Sequence, residues 1–271
     1  MDVKAFAREW VWYAKARVRT FLTENRCRRM AARYNLNGYK RVYFVHIRKT
    51  GGTSLNHMFL SLSGGEAEPL YDAMVQACDH RLIHRNLIFV GWHLGHINEG
   101  NYYYAFSHTP LHELDLPERT FIATCFRDPV RRVVSHYNML MGYRANRVDH
   151  PCMAVEGEWL GSSFGDFLKR IPREHLLNQL YMFSRSCDID EALESVTGID
   201  HYFFTDSFEQ GIRELNEKTG LSLQPMHSAR SDYRADISET HLRALKDLLK
   251  DEYRFVGTLR ERRRVGFVDN M

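Results

Sequence analysis

The chain has 271 residues, 44% hydrophobic and 26% charged, with 17 glycines and 7 prolines; this fits one large α/β unit and excludes collagenous, low-complexity and disordered classes. Its five cysteines (Cys27, Cys78, Cys125, Cys152, Cys187) are odd in number, widely spread and free of any CxxC pair, which argues against a disulfide scaffold or zinc knuckle and for reduced thiols. No run of about 18 apolar residues occurs, and charge breaks the amino-terminal stretch every few residues, so neither a membrane span nor a signal peptide is expected and a cytoplasmic location follows.

The net charge of +3 is unevenly placed, because residues 1–34 hold nine Lys/Arg against three Asp/Glu, a local excess of +6. In this segment Val3, Phe6, Trp10, Tyr13, Val18 and Phe21 recur at helical spacing with Lys4, Arg8, Lys15 and Arg19 on the other side, which predicts a basic amphipathic helix. Packing of its apolar face on the domain, packing on a second copy in a homodimer, and peripheral contact with a membrane are all open readings. The expected division is a helical segment at 1–36 followed by a single domain at 37–271.

From residue 41 the run Arg-Val-Tyr-Phe-Val-His-Ile reads as a strand, followed by a glycine loop and a helix over Leu55–Leu62. Asn86–Trp92 and Thr120–Phe126 are further runs of strand length, and the second leads through Arg-Asp-Pro into a helix over Val130–Met141. Gly142–Ser163 reads as a long surface excursion. Helices then follow around Phe164–Lys169 and Arg173–Phe183, a strand at His201–Thr205, and helices near Phe208–Thr219 and Ser238–Leu249. Strands alternating with helices predict an α/β fold with a central, mainly parallel sheet flanked by helices in three layers.

Two strand-to-helix turns carry chemistry. In Lys49-Thr50-Gly51-Gly52-Thr53-Ser54 the glycines permit a tight turn with inward N–H groups, the helix start adds its positive dipole end, Lys49 adds a charge, and Thr53 and Ser54 add hydroxyls. A phosphate or sulfate carried by a nucleotide is the expected ligand. Walker A requires the lysine after the last glycine, whereas Lys49 precedes the pair, which disfavours a standard P-loop NTPase. In the second turn Asp128 is the expected N-cap and Pro129 the first helical residue, so Arg127 and Ser135 could converge on a further phosphate in the crevice beyond the strand ends. Arg131 and Arg132 are expected on a solvated helix face, and His46 in the core.

These turns carry a family resemblance: HIRKTGGTSL resembles the 5′-phosphosulfate loop, and RDPVRRVVSHY the 3′-phosphate motif, of sulfotransferases that use 3′-phosphoadenosine 5′-phosphosulfate (PAPS). The subgroup it is most similar to contains heparan sulfate 2-O- and 6-O-sulfotransferases and their bacterial relatives, over roughly residues 41 to 260. Where that family has proline before the loop lysine this chain has Arg48, which frees the backbone and adds a charge near the donor. The resemblance implies a P-loop-like fold and transfer of a sulfuryl group from PAPS to an acceptor, leaving PAP, with no metal required. It also implies cofactor contacts from Lys49, Thr50, Gly51, Gly52, Thr53, Ser54, Arg127 and Ser135, and from Arg230 and Arg234 in a loop that closes over the nucleotide. Gly95-His96 resembles the family's Gly-His element, which makes His96 the expected catalytic base, with Lys49 stabilising the leaving phosphate.

His93, three residues before His96, ranks second as base, and the two rings share a face if that stretch is helical. Zinc is disfavoured because HExxH and clustered cysteines are both missing. Asn101–Phe106 with Trp92 reads either as an acceptor wall or as an ordinary strand. The expected acceptor is a small molecule, for instance a natural product, bearing a hydroxyl or amine; no nucleic-acid partner is expected. A carbohydrate or glycan acceptor and an ATP-dependent kinase are the alternatives. The nearly neutral charge after residue 34 offers no basic groove for a polyanionic glycan, and no Walker B context is evident for a kinase.

Overall fold

The computed structural model describes the backbone of residues 3–226 and 233–268. Strands β1 (Arg41–Val45), β2 (Arg81–His84), β3 (Leu87–Gly91), β4 (Tyr104–Ser107), β5 (Thr120–Phe126) and β6 (His201–Phe204) form one six-stranded sheet in the order β2-β3-β4-β1-β5-β6. All neighbouring pairs are parallel except β2 with β3, a hairpin turned by Arg85 and Asn86 in the left-handed region. Sequence periodicity did not reveal β2, a four-residue edge strand that is half-buried throughout.

The helices are α1 (Val3–Ala31), α2 (Gly52–Ser61), α3 (Ala67–Gln76), α4 (Leu94–Glu99), α5 (Pro129–Ala145), α6 (Phe164–Arg170), α7 (Arg173–Leu176), α8 (Asn178–Tyr181), α9 (Ile189–Thr197), α10 (Phe208–Thr219), α11 (Glu239–Leu248) and α12 (Lys250–Val268). The stretch read as one helix over 173–183 divides into α7 and α8, and α3, α9 and α12 are additions to the expected set. Among the described residues no helix is long and apolar enough to cross a membrane.

Strand alternation sorts the core into two layers, as the two-residue side-chain period requires. Val42 and Phe44 of β1 pack with Phe89, Phe106 and Cys125 under α2, α3 and α10, supplied by Leu55, Phe59, Met74 and Ile212. Tyr43 and Val45 face the other way, with Val90, Ala105 and Phe126, toward Ile97 of α4, Val133 and Tyr137 of α5, and Phe255 and Leu259 of α12. The result is the expected three-layer α/β arrangement. The chain leaves β1 toward β3 and leaves β5 toward β6, in opposite directions, so the carboxyl ends of β1 and β5 border a topological switch point, where open α/β sheets form their ligand crevice.

One expectation is corrected by burial. Arg132 is not on a solvated face but fully buried, its Nε 3.1 Å from Glu252 Oε1 and its guanidinium also donating to the carbonyls of His175 and Leu176. Arg131 is exposed as expected. Tyr102 and Tyr104 are buried, with the Tyr104 hydroxyl donating to Asn56 Oδ1 at 2.7 Å; of the two readings of Asn101–Phe106, burial favours the strand, which begins at Tyr104. His46 is in the core as expected, 6% exposed.

Candidate functional site

The β1–α2 turn has the conformation its residues predict. Lys49 (φ 67°) and Gly51 (φ 90°) are left-handed, and Gly51 precedes the first turn of α2, whose free N–H groups and dipole favour an anion. The glycine at 52 is fixed by packing, since a Cβ there would lie 2.0 Å from the His46 ring. Thr50 is buried and its hydroxyl donates to Ile47 O at 2.9 Å, so it closes the loop on itself and is not available to a ligand through that proton. Thr53 is half-buried and Ser54 is buried at the start of α2.

Arg127 joins the two turns. Its Nη1 donates to Lys49 O at 2.9 Å across the switch point, and its own amide donates to Gln179 Oε1 at 2.8 Å. Gln179 in turn donates to Glu252 Oε1 at 2.6 Å, the carboxylate that holds Arg132. Asp128 caps α5 as expected, accepting from the Arg131 amide at 2.8 Å, and also accepts from the Tyr253 hydroxyl at 3.0 Å. Ser135 is half-buried about two turns into α5. Arg234 is exposed, and Arg230 lies outside the described residues.

Lys49 is half-buried, and its Nζ meets Met139 Sδ at 3.4 Å rather than a carboxylate. Burial, then the nearby Arg127 and Arg48 charges, push its pKa down to about 8. With Arg48 paired to Glu156, Lys49 and Arg127 still repel one another at this turn, and an anion placed between them would relieve that repulsion.

Arg48, in place of proline, is built into the scaffold. Its freed amide donates to Asn178 Oδ1 at 3.1 Å, and its guanidinium pairs with Glu156 Oε1 at 2.7 Å. The other Glu156 oxygen meets His136 Nε2 at 2.7 Å. Burial pushes Glu156 up, but the His136 hydrogen bond and Arg48 outweigh it and hold the carboxyl below its ordinary value. Burial chiefly holds His136 down at about 4, so the neutral imidazole donates to the carboxylate and Arg48 supplies the counter-charge. The excursion after α5 is thereby pinned over the β1 turn.

His93 and His96 are brought together at the end of β3. His93 caps α4, its Nδ1 accepting from the His96 amide at 3.2 Å, and the two rings stack with centroids 4.1 Å apart. His96 Nε2 lies 3.4 Å from Asp79 Oδ2 and its Nδ1 3.5 Å from Glu99 Oε2, so carboxylates flank both nitrogens and orient the ring. With β4 between β3 and β1, the strand axes leading to His93 and to Lys49 are about 10 Å apart. Glu24, His96 and Glu99 also bring three ligand atoms within 4.8 Å of one another. Arg81, 2.8 Å from Glu24 Oε1, already balances one of these carboxylates.

His108, which the sequence offers only as half of an i, i+4 pair with His112 disfavoured as a metal site, follows β4 and so lies between the β1 loop and the β3 histidines. Its Nδ1–H donates to His46 O at 2.6 Å, a tautomer that leaves Nε2 as the basic atom. Burial and then Arg48 hold this imidazole down at about 3. Its spacing to His112 does not reveal this contact, because the partner carbonyl comes from the segment after another strand. After β3, Trp92, in the left-handed region at φ 55°, meets Tyr71 at 6.1 Å, and Tyr71 meets His57 at 5.3 Å. From the excursion Tyr143 stacks on His150 at 4.8 Å, and His150 Nδ1 lies 3.0 Å from Cys152 Sγ.

Compared with known proteins, the chain matches no family model and no curated relative.

Proposed function

We propose that this chain is a sulfotransferase that moves a sulfuryl group from PAPS to the hydroxyl or amine of a small-molecule acceptor and releases PAP, acting in the cytoplasm. The observation that carries the reading is the meeting of Lys49 and Arg127 at the β1–β5 switch point, with the Lys49 ammonium in contact with Met139 Sδ and not ion-paired to a carboxylate among the described residues, and the first turn of α2 beside it. The sulfotransferase-like order of the two turn motifs adds to it.

In this reading the α2 amides, Lys49, Thr53 and Ser54 hold the phosphosulfate, while Arg127, Ser135 and the 230–234 loop hold the 3′-phosphate. As the acceptor oxygen bonds to sulfur, the bond from sulfur to the bridging phosphate oxygen breaks. Negative charge grows on that bridging oxygen, and Lys49 opposes it from a pre-placed position. The acceptor proton passes to Nδ1 of His96 as the acceptor hydroxyl takes the place of the exposed Glu99 carboxylate there, while Asp79 holds the ring at Nε2.

Titration calorimetry with PAP, set against ATP with Mg²⁺, tests the reading. PAP binding of about 1 μM or tighter, lost in Arg127→Ala and not matched by ATP, is expected. Binding of ATP with Mg²⁺ in preference to PAP would overturn it in favour of a kinase.

A further inference from the structure

α1 runs for 29 residues, and among those whose side chains are described the half-buried and buried ones all lie from Thr23 onward. Cys27 and Ala31 are buried, while every residue whose side chain is described from Lys15 to Leu22 is exposed. That exposed stretch includes three large apolar side chains: Val18 at 58%, Phe21 at 65% and Leu22 at 61%.

At about 100° per residue, Val18, Phe21 and Leu22 occupy one sector of roughly 100°, and Cys27 and Ala31 lie diametrically opposite. The apolar stripe therefore points away from the domain. Lys15, Arg19 and Arg26 run along one edge of it and Arg17 and Arg28 along the other, all exposed. Between residues 10 and 34 the single acidic residue is Glu24, and it is turned to the domain, where it pairs with Arg81 at 2.8 Å. Toward the amino terminus the sequence continues the same spacing with Val11 and Ala14, and adds Trp10 and Trp12.

We propose that α1 is an arm that lays this stripe on an anionic lipid surface. Each feature of the helix has a counterpart there. Val18, Phe21 and Leu22 enter the acyl boundary, and the flanking lysine and arginines extend past them to the lipid phosphates. A second copy of the arm is a poorer occupant, because pairing through the stripe would press Lys/Arg edges against Lys/Arg edges with no carboxylate between them. A nucleic acid would take the arginines and leave Phe21 and Leu22 in water.

The test is co-sedimentation of the full chain with vesicles of phosphatidylcholine alone or with about 30% phosphatidylserine, at about 0.1 M and 0.5 M salt. Expected is at least about tenfold tighter binding to the anionic vesicles, weakened by salt. Phe21→Ser with Leu22→Ser, and separately Arg17→Glu with Arg19→Glu, should each weaken it by about tenfold or more. These four side chains are exposed, so the thermal midpoint without vesicles should not move, and PAP binding should be unaffected. Equal binding to neutral and anionic vesicles, or full binding by the Phe21/Leu22 variant, overturns the proposal. So does a dimer in solution that the Phe21/Leu22 variant abolishes, or single-stranded RNA binding that depends on Arg17 and Arg19 and excludes the vesicles.

Discussion

The guanidinium of Arg48 lies 2.7 Å from Glu156, an ion pair that fastens the excursion after α5 to the turn between β1 and α2. Glu156 is almost wholly buried and His136 takes its second oxygen, so the pair is positional as well as electrostatic. Together with the amide bond to Asn178, it accounts for what arginine does at a position where the resembled family has proline.

Arg48→Pro should remove both interactions at once and leave Glu156 without its counter-charge. Breaking a pair of this burial costs about 3 kcal/mol, so the thermal midpoint should fall by several degrees and PAP affinity should drop with it. A proline variant as stable as the parent in a thermal melt would show that the pair contributes nothing.

Lys49 should set an alkaline limit. Its ammonium is the form that opposes phosphate charge, and that form is lost as pH rises through about 8. The value of kcat/KM should therefore fall above that pH. In Lys49→Arg, whose side chain keeps its proton, the fall should disappear even if the rate is lower, whereas Lys49→Met should lose about 10²-fold or more in kcat. An unchanged alkaline limb in Lys49→Arg would assign that ionisation to another group.

Removing Gln179 should weaken PAP binding without touching the ligand. Gln179 holds the Arg127 amide at 2.8 Å and Glu252 at 2.6 Å, so Gln179→Ala leaves a buried carboxylate and a strand-end amide short of a partner. Calorimetry should show an affinity loss smaller than that of Arg127→Ala, while Gln179→Glu should be worse than alanine because it sets a second carboxylate beside Glu252.

The two histidine sites should separate by their effects. His96→Ala should keep PAP binding and lose about 10²–10⁴ in turnover of a hydroxyl acceptor. His108→Ala removes a hydrogen bond to the loop carbonyl of His46 and should lower both PAP affinity and stability. Full turnover in His96→Ala, measured by mass spectrometry of the sulfated acceptor, would move the base to another residue.

Acid should unfold the protein through its buried histidines. Burial holds His136 and His201 at about 4 and His108 at about 3 in the folded chain, against about 6.5 when unfolded. Between those limits the unfolded chain binds more protons than the folded one, so stability is complete above pH 6.5 and declines as pH falls. The decline is on the order of 1 kcal/mol per pH unit for each such histidine. Thermal midpoints that stay level from pH 7 to about 4.5 would contradict this burial.

The parts legible in the sequence were local. Strand, glycine turn and helix over residues 41–62, and strand, Arg-Asp-Pro and helix over 120–141, are contiguous, so side-chain period, glycine freedom and capping chemistry act within a few residues and mark themselves in order. The aggregate three-layer fold followed from the alternation of such units. What folding alone decided is which distant groups meet. Arg132 looked like a surface residue because nothing near it in the chain announces Glu252, 120 residues away, whose carboxylate makes its burial tolerable. The partners of Arg48 and Arg127, at Asn178 and Gln179, are 130 and 52 residues distant. His108 acquired its tautomer from the carbonyl of His46, just after β1. The amphipathic pattern of α1 was visible in the sequence, but the direction of its apolar stripe was not. A helix has only its own period, and the side that faces the domain is chosen by the strands and helices it packs against.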